Sequence, residues 1–224
     1  MASHLDLEEQ EQLEQLKAFW KQWGNLITWV VTACLAVFAA WQGWNTWQRS
    51  QASKAESMYV AMQKAVQEGD LAKVDAVQKD LQGMSGSSFA AQGVLLAART
   101  QFEKGKMDAS KASLNWVMQE AKLTEVRDVA RLRLAGVLLD EKKFDDAAKL
   151  IDAVTTPDFT ALAADRRGDL LMLQGKPVEA KAQYQKAYAA MDKTVEYRRL
   201  IEAKLAQLGV TVAEDDMASK EAAQ

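Results

Sequence analysis

The pattern of hydrophobic and polar positions divides the chain into an apolar segment near its start and a longer part with helical periodicity. From Leu26 to Trp47 the sequence contains no Asp, Glu, Lys or Arg. At about 1.5 Å of rise per residue, an apolar helix of this length covers the roughly 30 Å hydrocarbon thickness of a bilayer. The pattern therefore predicts a transmembrane helix over residues 25–48, preceded by an acidic tail over residues 1–24.

Tryptophans flank this apolar segment on both sides. Six of the seven tryptophans in the chain form two groups, which are Trp20, Trp23 and Trp29 at one end and Trp41, Trp44 and Trp47 at the other. Indole rings prefer the interface between membrane and water. A buried helix of a soluble protein is the alternative, but such a helix normally carries a polar stripe. We interpret the two groups as belts at the two membrane surfaces.

The apolar segment is expected to remain part of the mature chain. The residues before it are acidic, whereas a cleaved signal peptide begins with a basic stretch. The sequence Val31-Thr32-Ala33-Cys34 loosely resembles the lipidation box of bacterial lipoproteins, but apolar residues continue as far as Phe38. We therefore interpret Cys34 as a small packing residue. Positive charges do not set the orientation, because equal numbers lie close to the two ends of the segment.

Four turns of similar sequence punctuate the rest of the chain. They begin at Gly69, Gly105, Lys142 and Gly175, so that successive turns are 36, 37 and 33 residues apart. These spacings bracket the period of about 34 residues in tetratricopeptide repeats (TPRs). A helix-turn-helix unit cannot bury its apolar face alone, so stacked neighbours must supply the core. The pattern predicts an all-α chain with a TPR-like α-solenoid domain over residues 49–209.

Small and apolar residues recur at fixed positions in this frame. Seven residues before the last three turns come Ala98, Ala135 and Gly168, which allow two helices to approach closely. The second helices carry an apolar stripe formed by Leu114, Ile151 and Tyr184, followed three residues later by Val117, Val154 and Ala187. We predict that these residues form the core. The first unit is degenerate, with Met62 and Gln78 at these positions and a Gly/Ser loop at residues 83–88 behind it.

The last part of the chain predicts a capping helix and a tail. Residues 196–208 carry a one-sided apolar stripe that includes Leu200, Ile201 and Leu205, and Gly209 follows it. Such a helix covers the exposed core of a final repeat. Residues 210–224 lose the pattern, so we expect them to be disordered.

Composition narrows the classes of function. The formal net charge of −3 argues against a nucleic-acid-binding protein, which needs a basic surface. His4 and Cys34 are the only residues of their types, so the chain lacks the residues needed for a zinc site or for a catalytic Ser-His or Cys-His pair. We therefore expect neither an enzymatic activity nor a cofactor.

Two groups of arginines occur in the repeats. Arg127, Arg131 and Arg133 form one group, and Arg166 and Arg167 form the other. We interpret both as solvated helix surface, paired with neighbouring carboxylates such as Asp128 and Asp165.

The curved surface of stacked helix pairs is the predicted site of partner binding. The TPR frame assigns seven residues to the first helices, which line this surface: Arg99, Phe102, Leu139, Asp140, Asp165, Asp169 and Met172. Met and aromatic side chains adapt to varied partners, so exposed Phe102, Leu139 and Met172 would suit extended or unfolded chains. The same apolar residues fit equally well into the core between repeats.

The order of these features resembles the YfgM family. The resemblance includes the acidic start, the sequence Phe19-Trp20-Lys21 with Gly24 before the span, the sequence Trp44-Asn45-Thr46-Trp47 at its end and the degenerate TPR domain. It implies an ancillary subunit of the Sec translocon in the bacterial inner membrane, with a cytoplasmic N-terminus and periplasmic repeats. The implied partners are the SecYEG channel, the membrane-anchored chaperone PpiD and newly translocated proteins that leave the channel.

Two other functions remain open from the sequence alone. Acylation of Cys34 would make the chain a TPR lipoprotein or a scaffold of outer-membrane protein assembly. A regulatory adaptor would instead act through the acidic residues 3–15.

Overall fold

The computed structural model describes residues 7–210, with side chains from residue 12 onwards. Within this range the chain is all-α, as predicted, and contains no strand. The helices are α1 (Leu7–Glu68), α2 (Leu71–Gln82), α3 (Ser88–Glu103), α4 (Met107–Glu120), α5 (Thr124–Asp140), α6 (Phe144–Asp152), α7 (Thr160–Leu173), α8 (Pro177–Ala190) and α9 (Tyr197–Gln207), with a short 3₁₀ turn at Pro157–Phe159. The chain divides into two compact units, which meet between Gln51 and Ala52. The tail predicted over residues 210–224 lies outside the described residues, except for Val210.

The N-terminal unit contains one helix that is long and apolar enough to cross a membrane. Almost all apolar side chains between residues 26 and 47 of this helix are exposed, with 71% of Trp29 and 70% of Val37 accessible. The six tryptophans that were assigned to the belts are also exposed. Burying such a surface requires an apolar solvent, because exposed hydrocarbon is unfavourable in water. The predicted transmembrane helix is thus confirmed as a candidate span.

Helix α1 extends well beyond the predicted boundaries of 25–48. The flanking residues are rich in Glu, Gln, Lys, Leu and Ala, which favour helix, and they contain neither Pro nor consecutive Gly. The helix ends only before Gly69, whose φ of 68° places it in the left-handed region. The apolar composition marks the part of α1 that can lie in a membrane, but it does not mark the ends of the helix. The helix continues to the first strong C-terminal signal, which is Gly69.

The four predicted turns share one backbone conformation. Gly69, Gly105, Lys142 and Gly175 have φ values of 68°, 72°, 60° and 73°. In each turn the following residue donates its N–H to a carbonyl five residues earlier, as in Lys106 to Gln101 and Lys143 to Leu138. The next helix begins two residues after the left-handed residue. The repeat frame predicted from sequence is therefore present in the backbone.

Helices pack in pairs, and the pairs stack on one another. Helix α3 packs on α4, α5 on α6 and α7 on α8, while α4 also packs on α5 and α6 on α7. The small residues Ala98, Ala135 and Gly168 are buried at the crossings, as predicted. At the first crossing Ser110 Oγ donates a hydrogen bond of 2.8 Å to the carbonyl of Ala98. Close approach of the backbones is what the small residues make possible.

The core consists of three clusters of buried side chains along the stack rather than a single centre. Met62 belongs to the first cluster and is fully buried, although its repeat unit is degenerate. The Gly/Ser loop is confirmed at residues 83–87, and Ser87 accepts the N–H of Ala90 as the N-cap of α3. Ser88 already belongs to the helix.

Two predicted core positions are wrong. Val154 lies beyond the end of α6 and is only half-buried, because that helix contains just nine residues. Leu200 is 47% exposed, whereas Ile201 and Leu205 of α9 are fully buried. The stripe of the capping helix is therefore narrower than predicted, but Gly209 ends the helix region with a φ of 74°, as expected of a C-terminal glycine.

Candidate protein-binding groove

A groove lies along the first helices of three successive units, α3, α5 and α7. Its volume is about 480 Å³, within the range of roughly 300–1,000 Å³ that is typical of ligand pockets. The lining residues are Ala98, Arg99, Phe102, Ser110, Leu114, Arg133, Gly136, Val137, Asp140 and Arg166. We refer to this surface as the arginine groove, because arginine is the most frequent charged residue in it.

Small residues on α3 and α5 create the space. Ala98 is buried against α4, and Gly136 on α5 has no side chain to fill the groove. A Cβ atom at Gly136 would lie 3.6 Å from an Nη atom of Arg166, so the guanidinium of α7 reaches across α5 at this point. A larger residue in place of Gly136 would push this side chain away.

The three arginines of the groove have different partners. Arg99 Nε donates to Glu103 at 2.7 Å, one helical turn away on the exposed face of α3. Arg166 donates to Asp169 at 3.3 Å. Arg133 donates at 3.2 Å to the backbone carbonyl of Leu95, which is not a carboxylate.

Partial desolvation lowers the pKa of the Arg133 guanidinium, and the positive charge of Arg99 lowers it further. Much of the Arg133 side chain is nevertheless accessible, so the desolvation concerns the end that lies in the groove. Arginine stays charged at neutral pH despite such a shift. The groove thus contains a permanent cation that is close to a second one.

Three of the seven predicted groove residues line this groove, namely Arg99, Phe102 and Asp140. Met172 is 39% exposed but lies outside the lining. Leu139 does not line the groove and instead takes the core placement that the sequence had also left open, because only 4% of it is accessible. Leu139 packs in a core cluster with Ala135, Ala147, Ile151 and Leu170.

Asp165 is also buried, with 1% of the residue accessible, so its predicted placement on an open groove is wrong. Lys204 Nζ of α9 lies 2.8 Å from one of its carboxylate oxygens, and Tyr197 donates to the other at 2.8 Å. Asp169 is held by the same lysine at 2.6 Å and accepts the hydroxyl of Tyr184 at 2.9 Å. These carboxylates attach the capping helix to α7 and α8.

Both tyrosines act only as hydrogen-bond donors in this cluster. Burial raises the pKa of the Tyr184 hydroxyl, and the negative charge of Asp169 raises it further. Burial also raises the pKa of Tyr197, together with the charge of Asp165. Each phenol therefore stays protonated over the physiological range of pH.

Asp128 is not a solvated partner of surface arginines, contrary to the prediction. Its side chain is fully buried and accepts the backbone N–H groups of Thr155 and Thr156 at 3.1 and 2.8 Å. The hydroxyl of Thr156 donates to the same oxygen at 2.6 Å, and Arg131 forms an ion pair with the other. Asp128 thus fixes the segment between α6 and α7.

Sequence reasoning missed Arg133, Gly136 and Arg166 as groove residues. Arg133 and Arg166 each precede a turn by nine residues and are 33 residues apart, which is the local period of the repeat. That regularity was a signal for a shared orientation. Arg131 and Arg133 are close in sequence but do not share this orientation, because neighbours on a helix point in different directions.

The described residues contain no group of three or more His, Cys, Asp or Glu side chains arranged to hold a metal ion.

Comparisons with known proteins agree with this architecture. The model of a family described as a tetratricopeptide repeat-like domain matches residues 17–210, which include the candidate span. A protein of Neisseria gonorrhoeae named ancillary SecYEG translocon subunit is 30% identical over 210 residues, which cover 93% of this chain and 100% of the relative. Proteins of the same name from Haemophilus influenzae and Escherichia coli are 26% and 25% identical, cover 81% and 90% of this chain, and are themselves covered to 89% and 97%.

The match to the Neisseria protein extends over the whole length of that relative, and the repeat model begins before the span and ends with the capping helix. The resemblance drawn from the sequence is thus confirmed: the chain belongs to the YfgM family of ancillary SecYEG translocon subunits, which carry a tetratricopeptide repeat-like domain.

Proposed function

We propose that this protein is a non-enzymatic ancillary subunit of the SecYEG translocon. The observation that carries the proposal is the match to a relative of that name over its full length. The architecture supports it, because the exposed apolar segment of α1 suits a lipid or channel surface and the stacked repeats offer a groove for protein partners. In this proposal the span holds the protein next to the channel.

The repeat domain lies on the periplasmic side in this proposal, and the N-terminus is cytoplasmic. The domain binds a chaperone of the PpiD type and helps newly translocated proteins to pass from the channel to chaperones. Support comes from the exposed Phe102 and the open groove beside it, since such surfaces suit flexible chain segments. No step of this function requires the protein to make or break a covalent bond.

Site-specific photocrosslinking in native membranes tests the proposal. A crosslinker replaces Val37 in the span, Phe102 in the groove or Val178, which is 81% exposed on α8 and does not line the groove. We expect adducts with channel subunits from position 37, and with chaperones or proteins in transit from position 102. Position 178 is the matched control and should give few adducts. An absence of adducts with any channel subunit from all three positions contradicts the proposal.

A reporter fusion tests the orientation separately. A reporter that is active only outside the cytoplasm, fused behind Gln224, should be active. The same fusion with a reporter that requires the cytoplasm should be silent. The reverse result would place the repeats in the cytoplasm and exclude the proposed handover to periplasmic chaperones.

A further inference from the structure

The charge of the arginine groove differs from that of the chain as a whole. The chain has a formal net charge of −3, but the lining of the groove contains Arg99, Arg133 and Arg166 against a single carboxylate, Asp140. Three positive charges and one negative charge leave an excess of two positive charges. Local concentration of one sign of charge in a concave surface attracts groups of the opposite sign.

The internal partners of these arginines can be replaced by a bound group. The pair of Arg99 with Glu103 is exposed on both sides, and surface pairs of this kind contribute little to stability. Arg166 contacts Asp169 at 3.3 Å, while Lys204 holds the same carboxylate at 2.6 Å. Asp169 would therefore keep a cation if Arg166 turned towards a ligand.

Arg133 is the strongest indication of a site for an anion. Its guanidinium donates a hydrogen bond to the carbonyl of Leu95, and among residues 12–210 no carboxylate lies within salt-bridge distance of it. Desolvation and the neighbouring Arg99 both disfavour its charge, as its lowered pKa indicates. A carboxylate bound to Arg133 would compensate both effects. Guanidinium groups bind carboxylates with two parallel hydrogen bonds, which adds specificity to the charge.

Apolar side chains beside the arginines favour a peptide over a simple polyanion. Leu114 and Val137 lie at the base of the wall but are almost fully buried, so the exposed apolar surface of the groove comes from Phe102, which is 36% accessible. A phosphate chain or a nucleic-acid backbone has no apolar group to place against this surface. A peptide can place a carboxylate and an apolar side chain within a few residues of each other.

We propose that the arginine groove binds an acidic segment of a partner protein, with carboxylates on Arg133 and Arg166 and an apolar side chain against Phe102. This inference rests on the proposed function, which assigns partner binding to the repeat domain, and it names the chemistry of the partner. The recognised segment has an apolar residue within a few positions of its acidic residues. The groove binds it through side chains on three successive repeats, so that the stacking of the repeats sets the spacing of the recognised groups.

Fluorescence anisotropy with the full-length protein in detergent micelles tests the inference. The probe is a labelled peptide with the sequence Asp-Phe-Glu-Leu repeated twice, and its control has Asn and Gln in place of Asp and Glu. We expect the acidic peptide to bind, and to bind more weakly as ionic strength rises, because salt screens exposed charges. Arg133→Gln and Arg166→Gln should each weaken binding about tenfold, which equals about 1.4 kcal/mol. Arg199→Gln on α9 is the matched control and should leave binding unchanged, since Arg199 is exposed and does not line the groove.

Several results would overturn the inference. Equal affinity for the uncharged peptide would remove the role of the arginines, and equal competition by hexametaphosphate would indicate nonspecific attraction of anions. Tighter binding after truncation behind Val210 would identify the chain's own acidic tail as the occupant instead of a partner. Circular dichroism of each variant must match the parent protein, and Arg133→Lys provides a second variant that keeps the charge but not the paired hydrogen bonds. Crosslinks from position 37 to the channel do not depend on this groove, so failure of the peptide to bind leaves the proposed function intact.

Discussion

The ring of Tyr184 lies against the α-carbon of Gly168, so that a Cβ atom on this glycine would stand 2.4 Å from ring Cε1. Tyr184 cannot easily move aside, because its hydroxyl donates to Asp169 at 2.9 Å. Gly168 is the small residue of the last helix pair, and Tyr184 lies on the stripe of the second helix. The contact therefore sets the distance between α7 and α8.

Gly168→Ala should destabilise the protein by about 1–3 kcal/mol, because overpacking at this crossing forces the ring or the helix to shift. Urea unfolding of the full-length protein in detergent, followed by circular dichroism, measures the effect. Gly136→Ala is the matched control, since its Cβ would lie 3.6 Å from the flexible Arg166 side chain and would gain helix propensity. Equal losses for the two variants would show that the Tyr184 contact is not the cause.

Lys142 occupies the position that glycine fills in the other three turns, with a φ of 60°. A left-handed conformation costs a residue with a Cβ about 1–2 kcal/mol, whereas glycine adopts it without that cost. Lys142→Gly should therefore stabilise the protein by about 0.5–1 kcal/mol in the same urea experiment. The converse variant Gly105→Ala should destabilise it, since no atom lies within 4 Å of the added Cβ and only the backbone conformation is tested. A destabilising Lys142→Gly would contradict the argument.

The turns and the small residues could be predicted from the sequence because their causes are local. The left-handed conformation of Gly175 and the helix crossing at Ala98 are each determined by residue types within a few positions along the chain. Leu139 and Asp165 could not be placed in the same way. The surroundings of Asp165 depend on Lys204, which is 39 residues away, and those of Leu139 on the packing of the next helix pair. The arginine groove combines residues of three repeats; the repeat frame predicted Arg99, Phe102 and Asp140 in it, whereas Arg133 and Arg166 were missed.

The stability of the protein should depend on pH through Asp128. Burial raises the pKa of its carboxyl, but hydrogen bonds from Thr156, Arg131 and Thr155 together lower it below the ordinary value of 3.8. A group with a lowered pKa in the folded state stabilises the fold above its unfolded value, and this contribution is lost as pH falls through the folded value. The difference in unfolding free energy between the parent protein and Asp128→Asn should thus be constant above about pH 5 and should shrink below about pH 4.

Urea unfolding at a series of pH values measures this difference. Asp146→Asn is the matched control, because the Asp146 side chain is 61% exposed and makes only a surface ion pair with Lys149. Its effect should stay within about 0.5 kcal/mol at each pH. A difference for Asp128→Asn that persists unchanged at low pH would show that the charge of Asp128 does not stabilise the loop.

Membrane attachment should depend on the apolar surface of the span and not on Cys34. Cys34→Ala should leave the protein in the membrane fraction, and the intact mass should show no lipid on Cys34. Phe38→Asp should weaken insertion instead, because a carboxylate near the centre of a span costs about 2.5–3.5 kcal/mol. Carbonate extraction of membranes distinguishes the variants. Release of the protein by Cys34→Ala alone would favour a lipoprotein.

Asp165 provides the sharpest test of the capping helix, since it accepts hydrogen bonds from both Lys204 and Tyr197 while only 1% of it is accessible. Asp165→Asn removes the charge and leaves the cation of Lys204 with Asp169 alone. Because Lys204 keeps Asp169 as a partner, the loss should stay below the cost of about 3–5 kcal/mol for an unpaired buried charge, but unfolding in urea should still occur at a lower concentration.

The loss of stability should be concentrated at α9, because Lys204 attaches this helix to the helix pair of α7 and α8. Hydrogen exchange measured by mass spectrometry should therefore accelerate in residues 197–207 and remain nearly unchanged in α3. Glu202→Gln is the matched control, because Glu202 is exposed on the same helix and should alter the unfolding free energy by less than about 0.5 kcal/mol. The double variant Asp165→Asn with Lys204→Met should lose less unfolding free energy than the sum of the losses in the two single variants, since the two side chains contact each other. Additive losses would show that the ion pair does not attach the capping helix.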